Sequence, residues 1–307
     1  MEKNMQINFQ YLKERVKDSL QESDLDQIRW KLSRIKDPTL VSGVGGSSVV
    51  STFTSKVLNQ KNGIISINSE PRDFLYRRDD GFKNVIACSY SGNNYGVDLS
   101  FLKDLKKYLL SNHSFEDPSV EYLEYKTTID RERSFISLGA TLIPISILMD
   151  YYCDGEDDEM LGMIEERKFQ EIGESTVYEI FTGYDTATAS KYLESTMVEA
   201  ELGMPIVHDK YSYCHGRSTF GTNFPSTIIY FNRNTEFDKM MLEELKKYHK
   251  TIIRIDSRYQ DQVLDDYQLL IQSMYLTKRL AESQGKDLSK IKYSPIVEKT
   301  YSYKGNI

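Results

Sequence analysis

The stretch Thr39-Leu40-Val41-Ser42-Gly43-Val44-Gly45-Gly46-Ser47-Ser48 decides the fold, together with Asn84-Val85-Ile86-Ala87-Cys88-Ser89-Tyr90-Ser91-Gly92. In each part, a short apolar and β-branched run leads into a turn rich in glycine and serine, and a helical pattern follows. Small residues let backbone N–H groups approach an anion, serine hydroxyls donate to its oxygens, and a helix N-terminus adds positive potential. The pattern therefore predicts an α/β fold that holds a phosphate between two strand ends.

Composition and charge favour a soluble protein without a nucleic-acid or membrane partner. The 307 residues carry a net charge of -7, whereas a nucleic-acid-binding protein normally has a basic stripe. The N-terminus MEKNMQINFQYLKERVKDSL is charged and has no apolar signal region. The longest apolar run, residues 140–149, is about half of what crosses a bilayer. Cys88, Cys153 and Cys214 are far apart and odd in number, which predicts reduced thiols and a cytoplasmic location.

The alternation of strand-like and helical segments predicts parallel sheets covered by helices. We expect five parts: N-terminal helices at 1–36, a first α/β domain at 37–153, an acidic linker and helix at 154–172, a second α/β domain at 173–284 and a polar tail at 285–307. The two halves repeat one layout at domain scale. The predicted helices include 47–60, 96–110, 140–152, 160–170, 186–201, 236–249 and 262–283. The predicted strands include 39–43, 63–68, 84–88, 120–125, 176–182, 205–209, 227–231 and 251–256.

Five motifs in this order resemble the double-SIS (sugar isomerase) domain family. They are Gly43-Val44-Gly45-Gly46-Ser47, Ser69-Glu70, Ser89-Tyr90-Ser91-Gly92, Leu193-Glu194-Ser195-Thr196-Met197-Val198-Glu199 and Tyr211-Ser212-Tyr213-Cys214-His215-Gly216. The family includes the isomerase part of glutamine–fructose-6-phosphate amidotransferase, related phosphosugar isomerases and fructosamine deglycases. The resemblance implies two flavodoxin-like or Rossmann-like SIS domains, a phosphorylated sugar or sugar–amine conjugate as ligand, and a homodimer with composite sites.

The two glycine and serine turns are the predicted phosphate site. The resemblance assigns phosphate and substrate binding to residues of both turns: Gly45, Gly46, Ser47, Ser89, Tyr90, Ser91 and Asn94. Relatives often have a hydroxyl residue where this chain has Asn94, whose amide can still donate. The alternative interpretation is that these residues only form turns and cap helices.

The predicted general base is Glu199. Moving a proton between neighbouring sugar carbons through an enediol needs one carboxylate over both carbons, with a pKa raised by partial burial. Spacing back from His215 in the resembled family selects Glu199, with Glu201 as the nearest competing choice. The alternative is a solvated helix face, where most glutamates lie.

Two further catalytic residues follow from the resemblance. His215 matches the histidine that opens the sugar ring, and an imidazole can shuttle a proton near neutral pH. The family usually continues with proline, whereas this chain has Arg217-Ser218, so Arg217 is a possible contact for a phosphate or carboxylate. Lys299 lies where relatives have a lysine in a tail that closes over the sugar. The alternative for His215 is a histidine at a helix start with no partner, and the alternative for Lys299 is a solvated side chain.

Three differences from the family limit the functional prediction. Thr196 replaces a lysine found in the amidotransferase-like members. The second-half turn Phe231-Asn232-Arg233-Asn234-Thr235 lacks the S-x-S-G pattern, so we expect phosphate only in the first half. No P-loop and no His/Cys spacing typical of zinc sites occurs, so we expect neither a cofactor nor a metal.

Three functions stay open from the sequence. The first is a metal-independent sugar-phosphate aldose/ketose isomerase or fructosamine-phosphate deglycase. The second is a sugar-phosphate sensor without turnover, because SIS domains also serve as regulatory modules. The third is a structural partner protein that uses its acidic surface.

Overall fold

The computed structural model describes residues 8–70, 73, 81–92, 104–113, 117–127, 136, 138–169, 172, 175–290 and 294–296. These residues form two parallel β-sheets flanked by helices, as the alternating pattern predicts. Two of the predicted site residues, Asn94 and Lys299, lie outside the described residues.

The first sheet has five strands in the order β2-β1-β3-β4-β5, all parallel. The strands are β1 (Thr39–Gly43), β2 (Ser66–Asn68), β3 (Asn84–Cys88), β4 (Lys106–Ser111) and β5 (Val120–Glu124). All residues of β1 and β3 are buried, which explains their nearly continuous apolar sequences. The chain crosses from β1 to β2 on one side and returns to β3 on the other, so the order reverses between β1 and β3.

The second sheet repeats this topology with four parallel strands in the order β7-β6-β8-β9. The strands are β6 (Val177–Thr182), β7 (Met204–Asp209), β8 (Thr227–Asn232) and β9 (Ile252–Asp256). The order reverses between β6 and β8, at the place that corresponds to β1 and β3. The domain-scale repeat read from the sequence is therefore present in the fold.

The described α-helices pack on both sheets around one extended apolar core, and each sheet also contributes to a smaller apolar cluster. They are α1 (Leu12–Glu22), α2 (Leu25–Ser33), α3 (Gly46–Val57), α4 (Leu138–Tyr152), α5 (Asp157–Gly162), α6 (Ala187–Glu199), α7 (Arg217–Asn223), α8 (Glu236–Leu245) and α9 (Gln262–Ser283). A π-helical turn at Leu58–Asn62 continues α3, and a 3₁₀ turn at Tyr184–Thr186 precedes α6. Among the described residues, no helix is both long and apolar enough to traverse a bilayer.

The central helix α4 is apolar on every side, so it belongs in the interior. It packs against α1 and α2 on one side and against α3 on the other. The amphipathic helix α1 buries Leu12, Val16 and Leu20 at helical spacing, facing α4. Asp24 caps α2 by accepting a hydrogen bond from the Gln27 amide at 3.0 Å.

Two element predictions are wrong. The helix expected over 96–110 is contradicted at its end, because Lys106–Ser111 is strand β4, paired between β3 and β5; residues 96–103 lie outside the described part. The helix expected over 160–170 forms earlier and is short, at Asp157–Gly162. Burial of the last four residues of β4 between neighbouring strands overrides the local helical pattern.

Candidate functional site

The turns after β1 and β3 lie side by side at the carboxyl edge of the first sheet. Gly43 and Cys88, the last residues of the two strands, are partners in parallel register. In open α/β sheets, ligands bind outside the carboxyl ends of the strands where the strand order reverses. The two turns that the sequence singled out therefore meet at the switch point of this sheet.

The first turn is shaped by glycines. A Cβ atom on Gly43 would stand 2.2 Å from the carbonyl oxygen of Ser47, so the chain can fold back on itself only with glycine there. Gly45 has a φ of 59° in the left-handed region and precedes α3 directly. Both Gly45 and Gly46 are exposed, and a Cβ on Gly45 would meet no atom of the described residues within 4 Å.

At the start of α3, the Ser47 and Ser48 amides donate to the carbonyls of Val44 and Gly45 at 3.2 and 2.9 Å, and Gly45 and Gly46 are the exposed residues. The first amides of a helix have no acceptor within the helix, and together with the helix dipole they favour an anion. Ser47 is half-buried, and its hydroxyl makes no hydrogen bond among the described residues. Ser48 instead turns its hydroxyl back to the Gly45 carbonyl at 2.7 Å.

The second turn is held by its own hydrogen bonds. Ser89 is 2% exposed, and its hydroxyl oxygen accepts a hydrogen bond from the Gly92 amide at 3.1 Å. The Tyr90 carbonyl accepts a hydrogen bond from the Ser111 hydroxyl at 3.2 Å. Ser91 is half-buried at the tip of the turn. Ser89 thus shapes the turn, while Ser91 stands closer to solvent.

Glu199 is the last residue of α6 and is exposed. The Ser195 hydroxyl donates to one of its carboxylate oxygens at 3.0 Å. Desolvation by neighbouring protein atoms raises the pKa of Glu199, and the hydrogen bond from Ser195 opposes this shift only in part. Glu201, the competing choice, lies beyond the helix with a left-handed φ of 53°.

His215 lies in the turn between β7 and α7 and is exposed. Its amide donates to the Ser212 carbonyl at 3.0 Å. Gly216 follows with a φ of 94°, which favours glycine. Within the described part of the chain, no hydrogen bond or ion pair connects Glu199 or His215 with the two turns of the first sheet.

The corresponding switch point of the second sheet is filled by Arg233. Its guanidinium lies 3.3 Å from Asp185 and 3.6 Å from Asp265, and it also donates to the carbonyls of Tyr259 and Gln260. The Arg233 guanidinium is thus already paired with carboxylates and carbonyls of the protein itself. This arrangement is consistent with the expectation that phosphate binds only in the first half.

A buried carboxylate that the sequence reasoning missed lies in β6. Glu179 has no exposed surface; one oxygen lies 2.9 Å from Nε2 of His208 and the other 2.5 Å from the Ser226 hydroxyl. Arg217 approaches Nδ1 of His208 at 3.4 Å, and His249 Nδ1 approaches Ser226 at 3.2 Å. We call these five side chains the Glu179 cluster. The sequence signal was an acidic residue inside the apolar strand Val177-Tyr178-Glu179-Ile180-Phe181.

A surface cavity of about 530 Å³ lies elsewhere, between the segment after α5 and α9. Its lining residues are Glu166, Arg167, Lys168, Phe169, Ile172 and Arg279. It contains none of the predicted site residues. Among the described residues, no group of three or more His, Cys, Asp or Glu side chains is arranged to hold a metal ion.

Solved structures of similar architecture were compared with the chain. A candidate phosphosugar isomerase from Clostridium difficile 630 aligns over 99% of both chains with a TM-score of 0.74 and 13% identity. Tagatose-6-phosphate ketose/aldose isomerase from Escherichia coli aligns over 95% of this chain and 96% of its own, with a TM-score of 0.71 and 10% identity. The chain has the double-SIS fold.

A third similar structure is glucosamine-6-phosphate deaminase from Thermotoga maritima, with a TM-score of 0.66 and 14% identity over 91% of this chain and 97% of that one. No protein-family model matches the sequence, and no curated protein shows significant sequence similarity to it. The likeness therefore lies in the double-SIS fold and not in sequence. It confirms the fold that the motif order predicted.

Proposed function

We propose that this protein binds a phosphorylated sugar, or a sugar–amine conjugate, at the turns after β1 and β3 and isomerises or deglycates it. The observation that carries the proposal is the open N-terminus of α3 beside the Ser89–Gly92 turn, at the switch point of the first sheet. Similar folds bear the names of tagatose-6-phosphate isomerase and glucosamine-6-phosphate deaminase, which supports a phosphosugar as the ligand class.

The phosphate contacts would come from both turns. Gly45 and Gly46 are exposed at the helix start and would supply amide donors, and Ser47 and Ser91 would offer hydroxyl donors. Ser89 would act by holding the second turn through Gly92. Asn94 is proposed as a further donor.

Helix packing supports a role for Glu199 at this site. The C-terminal end of α3 contacts the start of α6, because Lys56 donates to the Asp185 carbonyl at 3.0 Å. The two helices pack together, and we therefore infer that they run in opposite directions. That direction would carry the N-terminal turn of α3, with Ser47, towards the end of α6 that bears Glu199.

The chemistry follows from these side chains. His215 would move a proton from the anomeric hydroxyl to the ring oxygen and open the ring. Glu199 would then take the proton from the carbon next to the carbonyl to give an enediol and deliver it to the former carbonyl carbon, while the hydroxyl proton of the first carbon passes to the former carbonyl oxygen. Desolvation raises the pKa of Glu199, which favours its action as a base. Lys299 would stabilise the enediolate oxygen electrostatically. Metal and cofactor have no step in this scheme.

A homodimer in the cytoplasm is part of the proposal. His215 is exposed on a turn, so it is available to complete the site of a second copy. Mixed dimers of Glu199→Gln and His215→Ala subunits test this directly. Partial recovery of turnover in the mixture, absent from either variant alone, would support a composite site.

Phosphate binding is tested by a thermal-shift panel of hexose phosphates, pentose phosphates and fructosamine phosphates, with the unphosphorylated sugars as controls. The key variant is Gly46→Asp. Among the described residues, a Cβ at Gly46 would meet only the Thr141 hydroxyl, at 3.7 Å, and a carboxylate in the first helical turn is favourable for the helix. We therefore expect a folded protein whose stabilisation by every phosphosugar is lost. Retained stabilisation would contradict the proposed site.

Turnover separates an enzyme from a sensor. The sensor remains the second candidate because Glu199 lies on an exposed helix end and Thr196 replaces the family lysine. An enzyme should exchange the C2 proton of its sugar with solvent, and Glu199→Gln should abolish exchange while keeping thermal stabilisation. A sensor should show stabilisation without exchange in the wild type. No stabilisation by any phosphosugar would favour a structural partner protein.

A further inference from the structure

The Glu179 cluster lies directly under α7, the helix that follows His215. Glu179 is ionised: burial raises its pKa, but the hydrogen bonds from His208 and Ser226 outweigh burial and leave the pKa of Glu179 below its usual value. A carboxylate only accepts hydrogen bonds. His208 must therefore carry a proton on Nε2, and the Ser226 hydroxyl must donate its proton to Glu179.

The other ring nitrogen of His208 fixes its charge. Nδ1 lies 3.4 Å from an Nη atom of Arg217, and a guanidinium only donates. His208 Nδ1 is then an acceptor, so the ring is neutral. If Nδ1 of His208 also carried a proton, its N–H group and the positive charge of the ring would face the Arg217 guanidinium and be repelled by it.

The cluster holds α7 at two points. Arg217 begins the helix and also donates to the Val207 carbonyl at 3.2 Å. Further along, a Cβ on Gly221 would stand 2.1 Å from the Tyr213 hydroxyl and 2.7 Å from a Glu179 carboxylate oxygen. The helix thus rests on the carboxylate with no space for a side chain between them.

The His215 turn is held by backbone hydrogen bonds, by a buried ring and by Arg217. His215 is exposed, and its amide donates to the Ser212 carbonyl at 3.0 Å, while the Ser218 amide donates to the Tyr213 carbonyl at 3.1 Å. Tyr213 is buried and packs against Phe181. At the start of α7, Arg217 contacts both His208 and the Val207 carbonyl. The contact between Arg217 and His208 is therefore one of two side-chain contacts by which Arg217 fixes the α7 side of the turn.

We propose that neutral His208 is a positioning residue for His215, and that protonation of His208 breaks its contact with Arg217 and loosens the α7 side of the His215 turn. The proposal rests on the role of His215 in the proposed function. The groups around His208 are Glu179 on β6, Arg217 on α7, and the rings of Phe181 and Tyr213 at 5.3 and 5.1 Å; His249 reaches the cluster through Ser226. Glu179 alone would tolerate a cationic ring, whereas Arg217 opposes it. The Arg217 contact is therefore the one that acid breaks.

Three variants test the proposal on the full-length protein. His208→Gln keeps one donor and one acceptor but cannot gain a charge. His208→Phe removes both hydrogen bonds. His113→Gln is the matched control, because His113 is exposed in the segment that follows β4 in the first domain, away from the cluster.

The first readout is amide hydrogen exchange over residues 211–217. From about pH 8 to about pH 5.5, the range in which histidine titrates, we expect wild type and His113→Gln to lose several-fold protection, after correction for the intrinsic exchange rate. In His208→Gln, residues 211–217 should keep their protection over the whole pH range. In His208→Phe, the same residues should exchange fast at both ends of the pH range. Equal pH dependence in wild type and His208→Gln would overturn the proposal.

The second readout is ¹⁵N NMR of histidine side chains, which is feasible because the chain has only four histidines. We expect the His208 signals of a neutral ring protonated on Nε2 at about pH 8; a proton on Nδ1 would overturn the proposal. If phosphosugars neither bind nor turn over, the proposed function fails while both readouts still report on His208. If turnover occurs, the acid fall of kcat should be steeper in wild type than in His208→Gln, with KM little changed.

Discussion

The ammonium group of Lys56 forms an ion pair with the carboxylate of Asp266 in the protein interior, where the two side chains are 2% and 0% exposed. Lys56 lies near the end of α3, and Asp266 lies in the first turns of α9. Asp266 also accepts hydrogen bonds from the Thr188 and Ala189 amides at 3.2 and 3.1 Å, at the start of α6. The ion pair thus joins α3, the helix of the proposed phosphate site, to α9, and Asp266 links both to the start of α6, the helix that carries Glu199.

Replacing Lys56 by methionine should strongly destabilise the protein. Asp266 would keep its two amide donors but lose its buried cation, and breaking a buried pair on one side costs about 3–5 kcal/mol. Urea denaturation measures the effect. The matched control is Lys61→Met. Lys61 pairs with Asp154, whose side chain is largely exposed, so this variant should change the free energy of unfolding by about 0–1 kcal/mol. Equal losses in the two variants would contradict this view of the interior pair.

Adding Asp266→Leu to Lys56→Met should restore only part of the lost stability. The double variant removes the unpaired charge, but it also leaves the Thr188 and Ala189 amides without their acceptor. Full recovery would mean that these two amides contribute little at the start of α6.

Ser89 and Ser91 should respond differently to alanine substitution, although the sequence pattern assigns both to phosphate. Ser89→Ala removes the buried acceptor of the Gly92 amide and should lower stability by about 1 kcal/mol, with a weaker phosphosugar response as a consequence. Ser91→Ala should leave the unfolding midpoint nearly unchanged and weaken binding alone. Thermal melts with and without phosphosugar measure both effects. A stability loss at Ser91 as large as that at Ser89 would show that the turn depends on both hydroxyls.

The sequence predicted the elements whose signal is local. β1, β3 and α9 have the expected bounds, because glycine turns and the capping Asp261 end the patterns sharply. Residues 106–110, Lys-Lys-Tyr-Leu-Leu, fit a helix as well as a strand, and only their neighbours β3 and β5 decide between the two. Lys56 and Asp266 are 210 positions apart, and nothing near either residue predicts its partner. The same holds for Glu179, whose contacts come from three other elements.

Asp150 should make the protein less stable as the pH rises from about 4 to 6. Burial raises the pKa of Asp150 from 3.8 to about 6, and Arg29, 2.8 Å away, offsets this only in part. The folded state therefore binds a proton more tightly than the unfolded state, so stability declines through this range and then levels off. Asp150→Asn should flatten the decline, as measured by urea unfolding at several pH values.

Asp157 titrates together with Asp150 and also contributes to the raised pKa of Asp150. The difference between wild type and Asp150→Asn therefore reports on the pair. Asp157→Asn is the second variant to measure, and it should flatten the decline of stability with pH less than Asp150→Asn does. An unchanged slope in Asp150→Asn would contradict the pKa shift of Asp150.

Arg233→Ala should destabilise the second domain without creating an anion site there. Asp265 is fully buried, and burial raises its pKa, while Arg233 and the hydrogen bond from Ser257 act against this shift. Without Arg233, the pKa of Asp265 should rise further. The loss of stability should then be small in acid, where Asp265 is protonated in both the folded and the unfolded state. It should grow with pH to roughly 2 kcal/mol. This is less than for a close buried pair, because Arg233 and Asp265 are 3.6 Å apart. Urea unfolding at several pH values measures this, with the exposed-strand variant Arg254→Ala as the control. A loss of stability that is the same at every pH would show that Arg233 acts by packing. If phosphate newly stabilised the variant, Asp185 and Asp265 would not be what excludes anions from the second switch point.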